Sequence, residues 1–162
     1  MTVLQAMSEA EYATWLAQAI PNFADEKVKS GQWAAEGALA QSEKDHQTML
    51  PQGVHTSGQC FFTIRDAQEQ VVGTLWYAEQ TRGDAQIAYL YDIHVFPQFQ
   101  RQGHAQAAIF ALEKEVARRG LAGLALHVFG HNPAAYALYC KLGFQPTNIN
   151  MFKSLSHAEQ QP

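Results

Sequence analysis

Between Gln59 and Val95 the hydrophobic pattern runs at a period of two, and it does so in three successive stretches. Gln59–Arg65 and Gln70–Tyr77 are rich in Phe, Val, Ile, Trp and Tyr and flank the polar turn Asp66–Glu69, which is a hairpin pattern. Gly83-Asp84 marks a second turn, and Ala85–Val95 follows as a long third strand. Strict alternation places Tyr89, Tyr91, Ile93 and Val95 on one face of it and Leu90, Asp92 and His94 on the other. A chain built around such a meander must cover it with helices, and the flanking segments have helical spacing.

Upstream, a short strand at Val3–Met7 precedes a helix that starts at Ser8, with Glu9 and Glu11 in its first turn. Pro21 is expected to break or restart that helix, and Gly31 to end its second piece. Trp33–Leu50 reads as a further helix. Downstream, Ala105, Ile109, Leu112 and Val116 give Gly103–Arg119 an apolar stripe at helical spacing, closed by Gly120. Leu124–Phe129 is a short apolar strand. Asn132-Pro133 caps a helix ending at Leu142-Gly143, and a final strand is expected near Asn148–Leu155. The sum is a single α/β domain over residues 1–162 with a central mixed sheet flanked by helices.

Composition narrows the class. The 162 residues are 47% hydrophobic, with a formal net charge of -4. No apolar run approaches the roughly 18–20 residues that span a bilayer. An N-terminus with Glu9 and Glu11 and no basic start is not a signal peptide. Cys60 and Cys140 are expected to be reduced and partly buried, which suits the cytoplasm. The acidic total without a Lys/Arg run argues against nucleic acid as the ligand. The charge is uneven: residues 1–99 hold 5 basic and 12 acidic side chains, residues 100–162 hold 6 and 3.

The stretch Val95-Phe96-Pro97-Gln98-Phe99-Gln100-Arg101-Gln102-Gly103-His104-Ala105 joins a strand to a helix N-terminus. Free N–H groups in the first helical turn and the small residues Gly103 and Ala105 suit an anion such as a phosphate. It is neither a P-loop, since no Gly-Lys-Ser/Thr follows, nor a dinucleotide fingerprint, whose second and third glycines are missing. Other strand–loop–helix phosphate binders stay open on spacing alone.

Four elements in order resemble the GCN5-related N-acetyltransferase (GNAT) superfamily. They are the strand Tyr91–Val95, the loop Gln100-x-x-Gly103-x-Ala105, Asn132 at a helix start, and Leu138-Tyr139-x-Lys141-Leu142-Gly143-Phe144. Gly31-Gln32-Trp33, Leu50-Pro51-Gln52-Gly53 and His127–Asn132 resemble an uncharacterised bacterial subgroup of it. The resemblance implies parallel strands splayed at an acyl-CoA site and direct transfer of acetyl from acetyl-CoA, the co-substrate, to a primary amine of a small molecule or a protein. It divides the domain into an acceptor side (1–58), antiparallel strands (59–95) and an acyl-CoA half (96–155). It implies that backbone groups of Ile93, His94 and Val95 hold pantetheine and that the Val95 N–H meets the oxyanion. Backbone N–H groups of Arg101, Gln102, Gly103, His104, Ala105 and Gln106 would hold the diphosphate, and Asn132 would contact CoA besides capping its helix.

Tyr139 is implied as the general acid. By spacing alone Tyr136, one turn earlier, is an equal choice, and either could be core. For the base, His127 stands where some members carry a Glu; its ordinary pKa of about 6.5 suits neutrality. Asp92 and His94 are alternative bases, and Glu26 stays open. Trp33, Trp76, Tyr89 and Tyr91 line either an acceptor pocket or the core. No Cys or carboxylate completes a zinc spacing around His127 and His131, so no metal is expected. A non-catalytic acyl-CoA-binding regulatory domain is the competing reading. A homodimer is common for the fold, and no residue in the sequence decides it.

Overall fold

The computed structural model describes residues 1–155. The elements run β1 (Val3–Ala6), α1 (Glu9–Lys29), α2 (Ala38–Met49), β2 (Gln59–Arg65), β3 (Val71–Arg82), β4 (Ala85–Val95), α3 (His104–Arg118), β5 (Leu124–Leu126) and α4 (Pro133–Lys141). Single 3-10 turns at Gly53–His55 and Pro97–Phe99 add two bends that the sequence did not announce. The sheet order is β1-β2-β3-β4-β5, antiparallel except for the β4–β5 pair. The parallel pair is linked through α3, as the strand–helix–strand pattern required.

Two apolar clusters sandwich the sheet. On one side Ile64, Leu75, Tyr77, Ala88 and Leu90 meet Ile109 and Leu112 of α3. On the other, Phe61 and Trp76 meet Tyr12 and Trp15 of α1. This second face is built around aromatic rings: Trp15 stands edge-on to Trp76 at 5.4 Å, and Tyr91 stacks on Trp76 at 4.5 Å.

Several expectations need correction. α1 passes through Pro21 without a break. The carbonyl that Pro21 leaves unpaired belongs to Ala17, which faces water, while buried Trp15 and Ala24 hold the helix on either side. α2 starts at Ala38, because Gly37 takes a left-handed conformation (φ 79°) immediately before it. β5 stops at Leu126 instead of Phe129, where its pairing with β4 ends. Cys140 is exposed on the outer side of α4, and only Cys60 is half-buried. Asn148–Leu155 forms no strand: every residue of it is exposed, and among the described residues no strand pairs with it.

The largest correction concerns β4. The β3–β4 register slips between Trp76 and Tyr77, so Trp76 faces Asp92 while Tyr77 faces Leu90, and Tyr91 is the extra residue of a bulge. The bulge reverses the alternation beyond it. Leu90 and Ile93 both pack on the α3 side, and Asp92 joins Tyr89 and Tyr91 on the α1 side, within reach of Trp15. No helix among the described residues is long and apolar enough to cross a membrane.

Candidate active site

The β4–β5 pairing consists of Ala88–Leu124, Tyr89–Ala125 and Leu90–Leu126. Beyond Leu90, β4 runs on for five residues with β3 as its sole neighbour among the described strands. The ladder fixes where the backbone points there. Gly73 faces Val95, and the Phe96 N–H donates to the Val72 carbonyl at 2.9 Å. That makes Gly73–Val95 a non-hydrogen-bonded pair, so the N–H and C=O of Val95 turn away from β3 into the fork. Ile93, two residues back and opposite Leu75, turns the same way. The Val95 carbonyl takes a hydrogen bond from Gln100 Nε2 at 3.0 Å, which confirms its direction.

A cavity of about 220 Å³ opens at this point, bordered by Ile93, His94, Val95, Gln100, Ala105 and Tyr139. The bend Pro97–Phe99 and the left-handed residues Arg101 (φ 62°) and Gly103 (φ 85°) swing the chain from β4 into α3. No side chain caps the start of α3. Its first-turn N–H groups, from His104 onward, remain available beside the cavity, with Arg101, Gln102 and Gly103 exposed next to them.

α4 supplies the third wall. Asn132 Oδ1 accepts the Ala135 N–H at 3.2 Å, so its amide does cap this helix, and Pro133 occupies the first position. Tyr139 lies on the inner side of α4, edge-on to Phe144 at 5.6 Å, while Tyr136 is 47% exposed. That settles the one-turn ambiguity as to which tyrosine reaches the cavity. Burial and the nearby Asp92 carboxylate push the Tyr139 phenol up to about 12, so it keeps its proton at neutral pH.

Asp92 is where the elements converge. Trp15 Nε1 of α1 donates to its Oδ2 at 3.5 Å. Removal from water raises the Asp92 carboxyl above its ordinary range; the Trp15 hydrogen bond and the positive charge that His94 and His46 can carry pull it back. His46 of α2 did not stand out in the sequence. It is 6% exposed, and its Nδ1 donates to the Ser42 carbonyl at 2.8 Å, which fixes its tautomer. Only its place on the inner side of α2, against Phe23 of α1 and Trp76 of β3, brings it near Asp92, and nothing in local sequence marks that.

The remaining candidates lie elsewhere. His127 is exposed one residue beyond the end of β5, edge-on to Phe129 at 5.0 Å. Glu26 accepts a hydrogen bond from His131 Nε2 at 2.5 Å, joining α1 to the β5–α4 loop. Tyr91 stacks on Trp76 and meets Tyr89 at a tilt, whereas Trp33 sits apart on Phe23 at 5.6 Å. Among the described residues no three His, Cys, Asp or Glu side chains gather as a metal set.

Known proteins share this arrangement. The model of the "Acetyltransferase (GNAT) family" matches residues 14–144. The uncharacterised N-acetyltransferase YdgE of Bacillus subtilis is 34% identical over 94% of this chain and 97% of its own. A second one, YycN of Bacillus subtilis, is 33% identical over 96% of this chain and 100% of its own. The crystal structure of YycN superposes with a TM-score of 0.91 over 96% of this chain and 99% of that one. Together with the forked β4–β5 pair and the uncapped start of α3, these matches show that the chain belongs to the acetyltransferase (GNAT) family and is an N-acetyltransferase.

Proposed function

We propose that the chain transfers an acetyl group from acetyl-CoA directly to a primary amine. The observation that carries this reading is the unpaired half of β4, whose Val95 N–H enters the same cavity as the Tyr139 phenol. The residues suit the co-substrate in two ways. Unpaired backbone at Ile93 and Val95 can take an extended amide chain as a strand edge does. The loop and first turn of α3, from Arg101 to Gln106, offer N–H groups to a diphosphate, with Asn132 at the start of α4 as a further contact to CoA.

Acetyl-CoA supplies a thioester whose carbonyl carbon takes the amine nitrogen and whose sulfur leaves. The Val95 N–H stabilises negative charge on the carbonyl oxygen. Tyr139 gives its proton to the departing sulfur, and a phenol held near 12 is protonated and ready for that step. The amine must lose a proton first. Asp92 and His94 are the bases favoured here, because both adjoin the Tyr139 end of the cavity, His94 on its wall and Asp92 close enough to raise the phenol. His127 is the competing base from the β5 side, and Glu26 is placed to attract a cation rather than to reach the cavity.

The acceptor enters from the α1–α2 side. Residues 1–50 carry 3 basic and 7 acidic side chains, which favours a cationic amine at neutral pH. The chemistry and the sequence composition fit a cytoplasmic enzyme.

The test is a panel of amines (polyamine, aminoglycoside, amino acid and peptide) screened for CoA release. Release that depends on both amine and acetyl-CoA is expected. Tight acetyl-CoA binding without turnover on any amine would favour a binding domain. Rate-versus-pH profiles of Asp92→Asn, His94→Gln and His127→Ala then assign the base: its replacement removes the acidic limb, and the other two leave it in place.

A further inference from the structure

α4 carries Tyr139, yet it is weakly held. Among the described α-helices it alone buries no residue, whereas α3 buries Ala108, Ile109, Leu112 and Val116. The strand that leads into it, β5, is three residues long and half-buried throughout. The side chains that do press on the core, Tyr139, Leu142 and Phe144, lie at the far end of α4 and just beyond it. A segment with so few buried contacts shifts and opens easily unless something ties it down.

The start of α4 has such a tie. The Asn132 N–H donates to the Phe129 carbonyl at 2.9 Å and the Asn132 side chain caps the helix, so His131 is built into a closed turn. Its ring stacks on Phe129 at 5.3 Å, and its Nε2 donates to Glu26 Oε2 at 2.5 Å. Among the described residues no other side-chain hydrogen bond joins the stretch 127–141 to another element. Glu26 stands on firm ground. Ala24 beside it is 4% exposed, and Phe23 packs edge-on to His46 of α2 at 5.5 Å. The bond therefore runs from a well-anchored helix to a weakly anchored one.

We infer that Glu26 and His131 form a clasp that positions Tyr139: α1 holds the β5–α4 loop, and through it the start of α4, so that the phenol stays at the cavity. About two turns of helix separate the Asn132 cap from Tyr139. A helix carries a displacement at its start along its length, so a released loop moves the phenol away from the departing sulfur. Both side chains of the clasp are part-exposed, at 32% and 36%, and a pair so placed adds little to stability. Its effect falls on geometry, where small misplacements of a reacting group are costly. Glu26 and His131 act through Tyr139 and are positioning residues. The inference rests on the reading of Tyr139 as the acid and is independent of which group is the base.

Amide hydrogen exchange tests the hold without any substrate. His131→Ala should speed exchange over residues 133–141 and leave α3 as it was; unchanged exchange in α4 overturns the proposal. Kinetics test the consequence, read with the amine that releases CoA fastest. His131→Ala and Glu26→Ala should each lower kcat by about 10-fold, short of the roughly 100-fold that a misplacement of about 1 Å costs. The KM for acetyl-CoA and Tm should hold, and the two replacements together should cost no more than either alone. In a Tyr139→Phe background His131→Ala should cost nothing further, since no proton is left to position. A full second loss there, or intact kcat in either single variant, overturns the clasp while the acid reading stands. Full activity of Tyr139→Phe by itself defeats the acid reading, and the role of the clasp with it.

Discussion

β4 is one strand with two lives. From Ala88 to Leu90 it is held by β3 on one side and β5 on the other, and Ala88 and Leu90 are 0% and 4% exposed. From Tyr91 to Val95 it keeps β3 alone, and every residue is at least partly exposed. The first half is sheet core. The second half keeps a fixed backbone while turning every other N–H and C=O away from β3, and Gln100 Nε2 takes up only the Val95 carbonyl. The bulge at Tyr91 divides them, and it turns Asp92 from the α3 side, where strict alternation would bury it among apolar residues, to the side that carries Trp15 and His46. Rigidity comes from the retained ladder, and availability from the lost one.

Five measurements sharpen that division. The largest effect is expected at Gly73, the β3 residue that faces Val95. A Cβ there would run into the backbone carbonyl of His94 and come within 3.1 Å of Val95 Cα, and backbone cannot give way cheaply. Gly73→Ala should cut turnover by about 100-fold or more, since small misplacements of reacting groups cost that much, and should also lower Tm. Normal turnover would mean that the outer half of β4 tolerates displacement.

The inner half should respond in stability alone. Leu112 of α3 is 0% exposed beneath it. Leu112→Ala should cost about 2–5 kcal/mol in a urea titration, with kcat/KM per folded molecule preserved. Next comes Tyr139→Phe, which keeps the ring contact with Phe144 and removes the proton. About a 100-fold fall in kcat is expected, with acetyl-CoA affinity retained; equal activity would leave protonation of the thiolate to water.

Asp92→Asn separates function from stability. The folded carboxyl titrates above the ordinary 3.8, so the ionised form is the one that burial penalises. Below that pH the group is protonated in both folded and unfolded chains and costs nothing. As pH rises toward the folded value the parent loses stability that Asn does not lose. The Tm advantage of the variant should therefore be smallest under acid conditions and grow toward neutrality, while turnover falls. An advantage that is flat with pH would mean that Asp92 is solvated.

The smallest effect belongs far from the fork. Ser8 Oγ accepts the Glu11 N–H at 3.2 Å, and the Glu11 carboxylate returns to the Ser8 N–H at 2.9 Å. Ser8→Ala should cost about 1 kcal/mol with no change in kinetics. Hydrogen bonding to the Ser8 backbone, followed by the Ser8 hydroxyl and Arg65, holds the Glu11 carboxyl below its ordinary 4.5. That stabilisation is present above 4.5 and is lost as pH falls through the lowered value, so the deficit of the variant should shrink in acid.

Much of this molecule is written locally. The bounds of β2 and β4, the Asn132-Pro133 helix start, the Ser8 cap and the apolar stripe of α3 follow from patterns spanning a few residues, and the structure has them. The resemblance of Leu138–Phe144 to a family signature chose Tyr139 where spacing could not. What local pattern could not give depends on partners distant in sequence. α1 survives Pro21 because Trp15 before it packs on Trp76 of the sheet and Phe23 after it packs on His46 of α2. β5 ends where β4 parts from it. Asp92 faces Trp15 and His46 because a bulge, visible only in the pairing of β3 with β4, reverses the alternation. Asn148–Leu155 has the pattern of a strand and is none, since a strand exists only with a neighbour to pair with. Sequence alone determined which segments could be helix or strand, because those preferences are set within a turn or a pleat. Tertiary structure decided which side chains meet at the fork, because register and divergence belong to pairs of strands and to no single one.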